Sequence, residues 1–278
     1  DIASQLYESF AADPNFSLKK IHGKIQRRFI HQLERDLPHQ VAACTVVSET
    51  DQQYLQVLSG ARNIFVAPNG VDLDYFNPHL DYLYAGYESD FIFVGSMDYY
   101  PNHDAALFFS KEVMPLIWEN EADLTFTIVG RNPSPAVLGL QVDKRIRVTD
   151  TVKDVRPYLR AATIVVIPIR MGAGSRIKVL EAAAMSKPIV ATPIGLEGID
   201  FRHQEHALIA NDPAQLAAGC WELVQNPQTR AELGHNAQMA VQAAYSWENC
   251  VNCLIETVQK VTAMPTKNQN SGIIYPCE

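Results

Sequence analysis

Short runs rich in Val, Ile and Phe alternate along the chain with longer stretches whose apolar residues recur every three or four positions. The pattern predicts strands over 41–47, 63–68, 90–96, 124–130, 145–148, 163–169, 187–192 and 206–210. Several of these are almost continuously apolar, as strands covered on both faces of a parallel sheet must be. Between them, "NHDAALFFSKEVMPLIW", "VKDVRPYLRAA" and "SRIKVLEAAAM" carry helical spacing. Such βα alternation predicts an α/β domain with a doubly wound parallel sheet. Past residue 212 only helical patterns remain, three of them, each opening on helix-start residues, before a polar tail over 264–278.

The first eighty residues read differently. "NFSLKKIHGKIQRRFIHQLERDL" places Phe16, Ile21, Ile25, Phe29 and Leu33 at helical spacing among Lys19, Lys20, Lys24, Arg27, Arg28 and Arg35. A basic amphipathic helix can lie on an anionic membrane, so residues 16–35 are a candidate peripheral contact. The competing expectation is a solvated helix packed by one face onto a sheet. "PNGVDLDYFNP" (68–78) reads as a connector, and a boundary near 76–88 divides the chain into 1–80, 81–262 and a tail from 263.

Composition narrows the function. With 278 residues, 47% of them apolar, the chain can bury a large core. A net charge of −8 argues against broad nucleic-acid binding. No apolar run reaches the roughly 18 residues of a membrane span. The N-terminal stretch has neither the basic start nor the apolar block of a signal peptide. Five scattered cysteines suggest a reducing compartment, and Cys250 and Cys253 have the spacing of packed helix residues.

Candidate chemistry gathers where strands end in glycine. "FIFVG" stops at Gly95-Ser96 and "FTIVG" at Gly130-Arg131. "TIVVIPIRM" stops at Gly172-Ala173-Gly174-Ser175, directly before a helix. Ligands of open parallel sheets bind outside the carboxyl ends of the strands, and glycine lets them approach closely. Ser175 is the expected N-cap, with the free N–H groups of the first helical turn facing an anion. Arg176 and Lys178 would neutralise a diphosphate, and Glu181 could accept hydrogen bonds from the two vicinal hydroxyls of a ribose. Neither the phosphate-loop signature of ATPases nor the third glycine of a dinucleotide fingerprint is present, since Ile177 stands at that position.

Taken in order, "PNGVDLDYFNP", "FVGSMDYYPNHDAALFFSKEVMPLI", "FTIVGRNPS", the long segment from "VTDTVKDV" to "IGLEGI", and "DPAQLA" resemble glycosyltransferase group 1 (family 4) enzymes of the GT-B fold. The likeness spans about residues 40–262 and points to bacterial sugar transferases of exopolysaccharide synthesis. It implies a donor-binding C-terminal domain for a UDP- or GDP-sugar, with the acceptor, a saccharide or lipid-linked, held across a cleft by an N-terminal domain of which residues 1–80 are the last part. Glu181 matches the family glutamate that holds the ribose. Gly172–Ser175 match the loop near donor sugar and diphosphate. Gly95, Ser96, Gly130 and Arg131 match donor-facing loops, and Thr151 and Val152 a segment near the base. The family's first motif glutamate falls at Ala173, and its usual Arg and Lys after the first glycine strand are missing. Arg176 and Lys178 are therefore expected to take over as the catalytic cations, without metal or cofactor. Sugar transfer with retention, in the cytoplasm or at the inner membrane face, is the expected activity. A donor-binding module needing a partner chain and a sugar-nucleotide 2-epimerase are the alternatives.

Overall fold

Strands form where Val, Ile and Phe crowd together, and most of the described ones end directly before a Gly, Pro or Thr. The computed structural model describes residues 2, 4, 19–80, 86–172 and 174–263. Among these are β1 (Cys44–Val46), β2 (Ile64–Val66), β3 (Ser89–Val94), β4 (Phe126–Val129), β5 (Ile146–Val148), β6 (Ala162–Ile167), β7 (Ile189–Ala191) and β8 (Leu208–Ile209). All eight expected strands are present, most of them shorter than the apolar run that announced them.

Strands β3 to β8 make one wholly parallel sheet in the order β5-β4-β3-β6-β7-β8. Phe91 pairs with Phe126 on one side and Ile164 on the other. Phe91, Ile92, Phe93, Ile128, Val166 and Val190 are fully buried. Burying a side chain of this size contributes about 1.5–3 kcal/mol, so the centre of this sheet is the anchor of the fold.

Helices cover both faces. After β3, α3 (Tyr100–Phe108) passes through one wide turn at Phe109–Val113 into α4 (Met114–Trp118). The cause is Pro115, whose ring would strike the carbonyl four residues back; the Met114 N–H instead reaches Phe109 O. α5 (Pro135–Leu138) and α6 (Arg156–Ala161) follow β4 and β5, and α7 (Ile177–Ala184) follows β6. The chain then closes with α8 (Pro213–Gln225), α9 (Pro227–Ala244) and α10 (Trp247–Ala263). α8 packs on α4 and the wide turn, α9 on α7. Cys250 is buried on α10 and Cys253 exposed. No described helix is long and apolar enough to cross a membrane.

The residues before the connector form a smaller unit. β1 and β2 pair in parallel, joined by α2 (Glu49–Ser59), which begins on the Ser48 hydroxyl and ends on Gly60 in the left-handed conformation. α1 (Lys19–Asp36) packs on α2, and Glu34 accepts a hydrogen bond from the Ser4 N–H. Here the expectation of an apolar stripe turned onto a sheet is corrected: Phe29 is 79% exposed and Leu33 60%. The half-buried described positions are Gln26, Arg27, Ile30, His31, Glu34 and Asp36, because the contact is with a helix and the chain start instead. Phe16, Cys277 and the tail from 264 lie outside the described residues, as do the side chains of Ile21 and Ile25. Connector 68–78 is fastened to the larger unit: Val71 N–H donates to Tyr245 O at 2.8 Å, and the Arg156 guanidinium lies 3.5 Å over the Tyr75 ring.

Candidate functional site

β3 and β6 stand side by side although the chain visits β4 and β5 between them. From this pair the sheet grows in opposite directions, and their carboxyl ends diverge into the crevice where open α/β sheets bind ligands. Gly95 leaves β3 at that point, and the 168–176 turn leaves β6.

Glycine at these ends is a steric requirement. A Cβ on Gly130 would lie 2.7 Å from the Gly95 carbonyl carbon and closer still to its oxygen. One on Gly95 would lie 2.8 Å from Asn102 Nδ2 and 2.9 Å from Lys178 Nζ. Gly172, at φ +119°, has the Arg176 guanidinium 2.9 Å from its missing Cβ, and Gly174 is also left-handed at φ +86°. Ala173, between them, lies outside the described residues.

Ser96 and Arg131 meet directly: Arg131 Nε donates to Ser96 Oγ at 2.6 Å, and Ser96 Oγ donates to Asp98 at 2.7 Å. Hydrogen bonds from Ser96 and Asn132 hold the Asp98 carboxyl below its ordinary value. Gly130 N–H donates to Thr149 Oγ1 at 3.2 Å. Thr151 is exposed and Val152 half-buried on the loop after β5, whereas Arg176 and Lys178 follow β6, and β4 and β3 lie between those two strands.

The predicted N-cap is displaced. α7 begins at Ile177, Arg176 occupies the cap position, and it makes no side-chain capping bond. Ser175 does not cap because its hydroxyl is turned the other way, accepting from Asn69 Nδ2 at 2.7 Å. A contact from the connector thus overrides the local preference of serine. The Arg176 side chain, 7% exposed, runs beneath Gly172; its Nε donates to Ile194 O at 3.3 Å and its guanidinium lies 3.7 Å from the Glu197 carboxylate. Burial lowers its pKa, opposed by Glu197 and Tyr99.

Lys178 turns toward the end of β3. Its ammonium donates to Asn102 Oδ1 and lies 4.6 Å from the centre of the Phe93 ring. Burial, aided by Arg176 and opposed by Glu181, brings its pKa down to about 7. Glu181, one turn along the same helix, is half-buried; burial raises its carboxyl pKa and Lys178 counteracts this. The structure therefore gathers Gly95, Gly172, Arg176, Lys178 and Glu181 at one corner. Ser96, Gly130 and Arg131 stand on its flank.

Three residues went unmarked in the sequence reading. Asn102 and Tyr99 follow the first glycine strand without a motif. Glu197 sits in "GLEGI", where a carboxylate between glycines at a strand end was the available signal. It is half-buried, with a pKa raised by burial, lowered by Arg176 and raised by Asp51. The Asp72-Leu73-Asp74 triplet has a metal-binding spacing, but Asp72 Oδ1 accepts from the N–H groups of Asp74 and Tyr75 and so closes a turn. A cavity of about 380 Å³ between the two units is lined in part by Ser48, Thr50, Gly198, Asp200 and Tyr245. Its lining contains none of the predicted site residues, but Gly198 in that lining stands beside them, since its missing Cβ would lie 2.9 Å from Ser175.

Known proteins share the sequence pattern of the larger unit and the fold. The family described as glycosyl transferases group 1 matches residues 88–226. An uncharacterised 44.6 kDa protein in the cps region of Klebsiella pneumoniae is 24% identical over 164 residues, covering 55% of this chain and 42% of its own. Sucrose-phosphate synthase from Thermosynechococcus elongatus superposes with a TM-score of 0.73 at 17% identity, over 94% of this chain and 67% of that one. A point mutant of S. aureus TarM, solved with fondaparinux, α-GlcNAc-glycerol and UDP, gives 0.68 at 18% identity, over 88% and 48%. Anabaena HepE with UDP and glucose gives 0.66 at 13%, over 85% and 67%. The chain spans less than half the length of the Klebsiella relative and of TarM.

Proposed function

Because this chain belongs to the glycosyl transferases group 1 family, we propose that it binds a nucleotide-diphosphate sugar at the β3/β6 crevice and transfers the sugar to a saccharide or lipid-linked acceptor in bacterial surface-polysaccharide synthesis. The observation that carries the reading is the Lys178 ammonium, delivered from α7 to the glycine end of β3, with the half-buried Glu181 one turn behind it. A diphosphate laid across Gly95 and Gly172 meets backbone that no Cβ obstructs, a cation and the N–H groups at the start of α7. The ribose would then fall to Glu181, a carboxylate suited to vicinal hydroxyls.

As the bond from the anomeric carbon to the diphosphate oxygen breaks, negative charge grows on the departing diphosphate. Lys178 is placed to stabilise it, and a fixed cation in a partly dehydrated crevice acts more strongly than in water. Arg176 backs the Gly172 turn from below, so its charge would act through the thickness of that turn. Retention with a hexose donor is the stereochemistry this reading takes. HepE and TarM, structures in which UDP is bound, are similar in fold, which favours trying UDP-sugars first. An intracellular site of action, with Phe29 and Leu33 of the basic α1 touching the inner membrane face, completes the proposal.

The test is saturation-transfer NMR of the protein against UDP-, GDP-, ADP- and dTDP-sugars. Transfer from sugar and ribose protons of one nucleotide class supports the reading; no transfer from any of them overturns it. A second reading, a donor-binding module completed by a partner chain, is favoured by the two-stranded β1–β2 sheet, since so small a sheet leaves both outer edges open among the described residues. It predicts donor binding without transfer until the partner is added.

A further inference from the structure

Asn102, at the start of α3, is 6% exposed, and its one amide makes two hydrogen bonds. Nδ2 donates to the Ser96 carbonyl at 2.9 Å, and Oδ1 accepts from the Lys178 ammonium. Its own backbone N–H donates to Tyr99 O at 3.0 Å, which ties the amide to the turn it spans. Resting on the nucleotide-sugar reading above, we propose that Asn102 is the positioning residue for Lys178, a single amide that sets both the Gly95–Ser96 turn and the ammonium presented there to a diphosphate.

An asparagine at this position can do what a longer or charged residue cannot. A lysine side chain has a long flexible stem, and unless something accepts its protons its head swings into water. A carboxylate partner would hold the ammonium but would also neutralise it and repel an incoming phosphate. A neutral amide oxygen holds it and leaves its charge for the ligand. The orientation of the amide is fixed as well: the Ser96 carbonyl can only accept, so Nδ2 faces it and Oδ1 faces the lysine. Around the ammonium, the charged neighbours are Arg176, which disfavours its proton, and Glu181, which favours it; the Phe93 ring and Gly95 also lie close to it. Glycine at 95 is what lets both the amide and the ammonium come so near the strand end.

Two measurements test this. The first follows Lys178 13Cε by NMR titration in the wild type, in Asn102→Ala and in Asn102→Asp. The wild-type midpoint is expected near 7. Asn102→Ala should titrate lower, and Asn102→Asp higher by about one pH unit or more, as expected for a carboxylate placed beside an ammonium. The second measures affinity for UDP-glucose and GDP-mannose, whose diphosphates keep a constant charge across neutral pH. Asn102→Ala should weaken binding by about tenfold, the scale of a lost charge-assisted hydrogen bond, and by far less when Lys178 is already Met. Thermal unfolding of each variant checks that it is folded. Identical Lys178 titrations in all three proteins would overturn the proposal, and so would an Asn102→Ala effect of equal size with and without Lys178. A wild-type protein that binds neither sugar nucleotide overturns the functional reading instead, and the titration series alone then decides whether Asn102 sets Lys178.

Discussion

Gly130 lies so close against Gly95 that any side chain on it would overlap the Gly95 carbonyl. The ends of two neighbouring strands are thereby pressed together, with Gly95 N–H donating to Val129 O at 2.9 Å. Gly130→Ala must push the strand ends apart. Backbone displacement of this kind costs about 1–3 kcal/mol or more, and chemical denaturation should report it as a lowered midpoint with an unchanged slope.

Glu181→Gln keeps the size of the side chain and removes its charge. Nucleotide-sugar affinity should fall by about 1–3 kcal/mol, the scale of a hydrogen bond accepted by a charged group. Stability should hold or rise, because burial already disfavours this carboxylate. Calorimetric titration beside a thermal scan separates the two effects. An unchanged affinity would remove Glu181 from the ribose role.

Lys178 makes stability depend on pH. Unfolded, it holds its proton to about 10.5; folded and without ligand, only to about 7. Below 7 both states are protonated and the fold bears the whole cost of the buried charge. Between 7 and 10.5 the unfolded chain binds more protons, so stability rises with pH. Compared with Lys178→Met, the wild type should therefore gain on the order of 2 kcal/mol over that window, a figure discounted for the partial exposure of the group. Urea titrations of both proteins across the window give the difference directly.

Gly234 in α9 fits against the end of α7: a Cβ there would be 3.0 Å from the Ser186 carbonyl carbon and nearer to its oxygen. Ser186 itself is held at φ +55°. Gly234→Ala removes a helix-weakening glycine, which alone would stabilise by roughly 1 kcal/mol. The overlap with backbone should outweigh that gain, so the expected result is a lower melting temperature. A higher one would mean that α9 is free to shift.

Much of this architecture was legible because it rests on residues close together in sequence. The runs "FIFV", "FTIV" and "TIVVI" are buried on both faces, and each announced its strand without outside help. Glycines 95, 130 and 172 stood out for the same reason. What stayed hidden depends on distant partners. Ser175 resembles an N-cap in its own neighbourhood, and only Asn69, 106 residues away, turns its hydroxyl elsewhere. Asn102 is an unremarked residue of a helix until Lys178, 76 residues later, arrives at its amide. Likewise Phe29 and Leu33 have the periodicity of a packed face, yet α1 rests on the opposite one. Periodicity tells that a helix has an oily side, but the neighbour that will meet it is chosen elsewhere in the chain.

The bond between Asn69 and Ser175 has a mechanical consequence. Asn69 belongs to the strap joining the two lobes, and Ser175 to the loop beside the crevice. A displacement of the strap at residue 69 would drag the loop along or break the bond. The strap's position and the loop's posture are thus tied through one amide and one hydroxyl.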